Sequence, residues 1–121
     1  MNWSKLQSLA VTQVESTLVR MPAPLRERSR LLPVLFERLP NAELQADGIE
    51  PDTLGLFCGP DFVEEADSLL PPQIILFLEN IWDAAGGEES VFCQEVRTTY
   101  LHELGHYLGL DESELTDRGL E

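Results

Sequence analysis

Positive charge is scarce in this chain. Eight lysines and arginines face 22 aspartates and glutamates, a formal net charge of −14 over 121 residues. Such a surface repels phosphate backbones and anionic lipid, which argues against nucleic acid and membrane as partners and for a cationic peptide or a basic protein surface. The shortage is uneven. Residues 1–40 hold six basic and three acidic side chains, whereas residues 41–121 hold two basic and nineteen acidic ones. No apolar run approaches the roughly 20 residues that a membrane span needs. Met1–Ala10 carries one lysine and no sustained apolar stretch, so no signal peptide is read there and a cytoplasmic protein is expected. Only two cysteines occur, Cys58 and Cys93. With nothing to mark the chain as secreted, they are expected as free, buried thiols behaving as small hydrophobes. Internal repeats and low-complexity tracts are lacking too. What remains is 43% hydrophobic and 25% charged. Those are globular values, and they point to a single domain over residues 1–121, with the oligomeric state left open.

Periodicity supplies a coarse map. Residues 3–20 place Leu6, Leu9, Ala10, Val14 and Leu18 on a helical stripe, with Ser4 as N-cap and Pro22 and Pro24 as the stop. "PLRERSR" adds a short helical turn. "LLPVLFERLP" alternates Val34, Phe36 and Arg38 against Leu35 and Glu37, and reads as a first strand. "NAELQADGIEPDT" is a polar connection with room for one helical turn. Leu54–Gly59 is a second short strand, "DFVEEADSLLPP" a loop, and Gln73–Leu78 a third strand, apolar enough to be buried on both faces. "ENIWDAAGG" makes one helical turn, broken by Gly86 and Gly87. A long helix then runs from Glu88 to Gly109, a residue suited to end it in the left-handed conformation.

Both histidines of the chain lie on that last helix, in "TTYLHELGHYLGLDESEL". Four residues apart, His102 and His106 project from one face about one turn apart and can share a metal ion. Zinc suits two neutral imidazoles, and a water on its open position becomes acidic enough to attack near neutral pH. Glu103 can take that water's proton and pass it to a leaving amine. This is the HExxH arrangement of zinc peptidases. Gly109 follows three residues after His106, then Asp111 and Glu112. That spacing matches the metzincin pattern HExxHxxGxxH, in which the glycine turns the chain so that the last residue reaches back to the metal. Glu112 occupies the last position and is the preferred third ligand. Asp111, one residue earlier, is the alternative, since either carboxylate binds zinc. The two methionines, Met1 and Met21, precede the motif, so a methionine turn beyond it is ruled out. Only 15 residues follow His106, too few for a ligand from a later helix. The site must be completed within the motif.

With "EVRTTYLHELGHYLGLDESEL" preceded by the strand segments "LGLFCG" and "PPQIILFL", the chain resembles the small bacterial zincin-like metallopeptidases called minizincins, over roughly Leu31 to Leu115. The resemblance implies an α+β fold, the minimal zincin-like one: an N-terminal helix, a small twisted mixed sheet, and a C-terminal active-site helix packed on it. It implies His102 and His106 as zinc ligands, Glu103 as general base, and Glu112 or Asp111 completing the set. Neither acidic position is histidine, as it would be in a metzincin, and a carboxylate ligand lowers the Lewis acidity of the metal.

The function expected is zinc-dependent hydrolysis of a peptide or protein substrate, a basic one by charge. "LGLFCG", short and glycine-flanked, is the candidate edge strand against which an extended peptide would pair. The alternative is a catalytically silent, metal-stabilised module that binds a basic partner. Two further readings fit less well. An endoribonuclease site of the form HxxxHxxGxDH lacks its third histidine here, and a deformylase-like site would recruit Cys58 as third ligand.

Overall fold

A computed structural model describes residues 1–59, 72–110 and 113–114. Its elements, in chain order, are α1 (Trp3–Val19), α2 (Ala23–Arg30), β1 (Val34–Glu37), α3 (Ala42–Ala46), β2 (Gly55–Cys58), β3 (Gln73–Phe77), α4 (Leu78–Ala84) and α5 (Glu89–Leu108). The architecture is α+β, as expected, with a small mixed sheet and the C-terminal helix packed on it.

Helix α1 begins earlier than the apolar stripe suggests. Asn2, not Ser4, is its N-cap, and the Asn2 side chain accepts a 2.8 Å hydrogen bond from the backbone N–H of Lys5. Its buried residues Leu6, Ala10, Val14, Thr17 and Leu18 follow the helical repeat. The prolines that end α1 also begin α2: Pro22 is the cap and Pro24 lies in the first turn, where a missing N–H costs nothing. The segment expected as a single turn is therefore an eight-residue helix. Arg30 at its end pairs with Glu15 of α1 at 2.9 Å.

Strand β3 is the centre of the sheet, with order β1-β3-β2. β1 runs parallel to it (Val34 opposite Ile74, Phe36 opposite Leu76), and β2 antiparallel (Gly55 opposite Leu76, Phe57 opposite Ile74). Ile74, Leu76 and Phe77 have no exposed surface, which is what an apolar central strand covered on both faces requires. Ile74 and Leu76 share a core with Leu6, Ala10 and Val14 of α1 and with Phe92, Val96, Tyr100 and Leu104 of α5. The chain passes from β3 straight into α4, which is a seven-residue helix and not the single turn expected. Trp82 of α4 meets Phe92 of α5 edge-on, with ring centres 5.7 Å apart. At the far end of β1, Arg38 lies 4.8 Å above the Trp3 ring and 2.7 Å from Glu79, tying the strand to α1 and α4.

Helix α5 is the longest element, 20 residues, and it packs against α1, α4, β2 and β3. Tyr100 and Tyr107 are fully buried along it, joining the aliphatic contacts that the apolar pattern marked. Gly109 closes it at φ 71°, ψ 30°, as its position predicted. The N–H of Leu110 bonds the carbonyl of Gly105 at 2.8 Å, and the N–H of Gly109 bonds that of His106 at 3.4 Å. Those two bonds form a Schellman turn, which satisfies the helix's last carbonyls and reverses the chain. No helix among the described residues is long and apolar enough to cross a membrane.

Candidate metal centre

The faces of α5 are unequal in what they can offer. Val96, Tyr100, Leu104 and Tyr107 point into the core, so the residues a third of a turn or more away must meet solvent or the sheet edge. His102 and His106 meet solvent. The His102 side chain is 52% exposed, and the two imidazoles stand with centres 5.3 Å apart and planes at 86°. On this exposed face the two imidazoles can turn towards a shared ion, which a buried packing role would not allow.

Glu103 lies one residue further along, about 100° round the helix, and is held differently. Its side chain is only 12% exposed, with Oε2 4.0 Å from Nε2 of His102. Ligand atoms of His102, Glu103 and His106 all fall within 4.8 Å of one another. Among the described residues these three form the group able to hold a metal ion. Two imidazoles and a neighbouring carboxylate suit a borderline ion such as zinc, so this donor set fits the metal that the motif implies. Asp111 and Glu112, the candidates for the third ligand, lie outside the described residues. So does nearly all of the segment "DFVEEADSLLPP".

The wall of the site is strand β2. Phe57 points from it onto Tyr107 of α5, with ring centres 5.9 Å apart and planes tilted by 55°. Together with Gly55, two residues earlier on the same face of the strand, this fixes β2 alongside the turn that carries Glu103. Within the described sheet β2 pairs on one side only, so the strand nearest the site is an edge strand, as its short, glycine-flanked sequence suggested. Sequence reasoning did not single out Phe57, Thr99 or Tyr107. The alternation of "GLF" carries a signal for Phe57, but nothing local says which helical turn it meets.

Cys58 ends β2. It is half-buried, as is Cys93, and not fully buried as expected; both are free thiols. Burial pushes the Cys58 thiol up from its ordinary pKa, and the Glu103 charge adds to the rise. Cys58 is not in the metal-capable group, so the deformylase-like arrangement does not form.

The family described as zincin-like metallopeptidase matches residues 30–120. No curated protein matches the chain.

Proposed function

We propose that this chain, which belongs to the zincin-like metallopeptidase family, is a zinc-dependent hydrolase of peptide bonds. The observation that carries the proposal is the placement of Glu103, a carboxylate held against the sheet edge within 4.0 Å of an exposed histidine that is paired with a second one. His102 and His106 would hold the metal, and Glu112, with Asp111 as the alternative, would complete the protein's share of the ligands. Zinc bound there would supply Lewis acidity to the scissile carbonyl and to the attacking water. Glu103 would take the proton of the attacking water at its carboxylate and pass it to the departing amine nitrogen. Its limited exposure keeps the carboxylate in one region, ready for both transfers. The edge of β2 that is unpaired among the described residues offers backbone groups to which an extended peptide would pair, laying its carbonyls beside Glu103.

The charge distribution supports a basic substrate. β2, β3 and α5 all come from the part of the chain with nineteen acidic and two basic residues. A field of that sign draws cationic peptides and repels anionic ones, an effect that salt would weaken.

The test is hydrolysis of a diverse peptide library by zinc-loaded protein, with Glu103→Gln as control. Gln keeps size and hydrogen bonding but cannot take a proton. Zinc content should stay normal while turnover falls by about 10²–10⁴-fold. Cleavage that is equal in the two proteins removes Glu103 from the mechanism. No cleavage by either leaves the metal-stabilised binding module as the better reading.

A further inference from the structure

Gly55 is an odd residue to find in the strand that walls the site among the described residues. Glycine weakens a strand by its backbone entropy and offers nothing to pack, so in such a place it marks either an unusual backbone or a close approach. The backbone is ordinary, because Gly55 is not among the glycines of positive φ. The approach is close. A Cβ at position 55 would stand 2.6 Å from Cγ2 of Thr99, 3.3 Å from Cγ of Glu103 and 3.3 Å from Cδ2 of Leu76. The first distance is one that real side chains do not occupy. The second belongs to the aliphatic stem of Glu103. The Gly55 backbone therefore lies directly on the turn of α5 that ends in Glu103, while Leu76, its partner across the sheet, closes the other side.

We infer that Gly55 is a positioning residue for Glu103: by having no side chain, it lets β2 seat on Thr99 and clasp the Glu103 stem so that the carboxylate is held towards His102. This rests on the peptidase reading for its catalytic consequence, but the clasp itself is a matter of geometry. A methyl group at position 55 must lift the strand from the helix, because Thr99 is 92% buried against it and cannot move aside. Lifting the strand frees Glu103 and leaves His102 and His106, on the exposed face, where they are. Thr99→Ser removes the Cγ2 methyl and with it the worst contact, so Gly55→Ala combined with Thr99→Ser lets the strand settle back.

The test uses the full chain as wild type, Gly55→Ala, Thr99→Ser and the double variant, each examined by crystallography and zinc-loaded kinetics. Misplacement of a catalytic group by about 1 Å can cost about 10²-fold, so Gly55→Ala should show a Glu103 carboxylate displaced by about that distance and kcat lower by about that factor, with KM and zinc affinity within about threefold of wild type. Thr99→Ser should match wild type. The double variant, in which the methyl still crowds Glu103 but no longer meets Thr99, should recover most of the lost kcat. An unmoved carboxylate in Gly55→Ala, an unchanged kcat, or a loss confined to KM overturns the inference. If wild type cuts no peptide, the peptidase reading fails, and the crystallographic comparison still decides the clasp. If Gly55→Ala does not fold, the double variant decides: one that folds with a Glu103 position and kcat close to those of Thr99→Ser supports the clasp. A double variant that also fails to fold, or that keeps a loss of about 10²-fold in kcat, overturns it.

Discussion

The imidazoles of His102 and His106 stand nearly perpendicular, with centres 5.3 Å apart, on the solvent side of α5. Neither is needed by the core, so their replacement should cost the protein metal and little else. Protein prepared without chelator should carry about one zinc per chain by elemental analysis. His102→Ala and His106→Ala should each abolish tight binding while leaving metal-free stability within about 0.5 kcal/mol, as is usual for exposed positions. Tight zinc binding retained by either variant would remove the pair as ligands.

Glu112 and Asp111 can be separated by affinity. Glu112 sits at the third position of the HExxHxxGxxH spacing, so Glu112→Ala should weaken zinc binding more than Asp111→Ala in titration against a competing chelator. The reverse order assigns the ligand to Asp111. Small, equal losses assign the position to water.

Tyr100 of α5 lies fully buried, and its hydroxyl finds no hydrogen-bond partner among the described residues. Desolvation pushes the phenol far above its ordinary range, with the Arg30 charge opposing and the Glu15 charge adding. An unpaired buried hydroxyl costs about 1–3 kcal/mol, so Tyr100→Phe should unfold at equal or higher denaturant concentration near pH 7. The sign of the pH effect follows from the raised value. Below the unfolded-state pKa of about 10 the tyrosine contributes no pH dependence; above it the unfolded chain ionises first and stability falls. The alkaline fall should be shallower in Tyr100→Phe. A destabilised variant would mean that the hydroxyl has a partner after all.

Gly109 and Gly55 answer to different constraints, and alanine distinguishes them. At Gly109 a Cβ meets nothing within 4 Å among the described residues, but φ is 71°. Gly109→Ala should therefore cost about 1–2 kcal/mol in denaturant unfolding, through backbone conformation alone. Asn at the same position, which tolerates the left-handed region, should recover part of it. Equal stability of all three would mean that the Schellman turn is not retained in solution.

What the sequence disclosed of this protein is what is local in it. The two long helices were legible to within a residue or two, because 3.6-residue periodicity is written in consecutive side chains. The cap of α1 was misplaced since the apolar stripe begins at Leu6, whereas the helix begins at Trp3 under Asn2. The third strand was read one residue too long, for Leu78 continues the apolar run of β3 while already starting α4. The histidine pair and Glu103 were legible because helical spacing converts sequence offset directly into geometry. The clasp on Glu103 was not. It joins residues 55 and 103 across the fold, and no periodicity states which strand residue will face which turn.

The sheet has another side to its economy. With β3 in the middle and β1 and β2 each paired once among the described residues, a second copy of the chain could dock on the same free backbone groups that a peptide would use. Fourteen net negative charges keep the copies apart near neutral pH, even with fields screened over about 8 Å in physiological salt. That safeguard is colloidal and not structural, and it vanishes towards the isoelectric point near 4.3. Acidification should turn the sheet edges that are unpaired among the described residues into a seam for polymerisation.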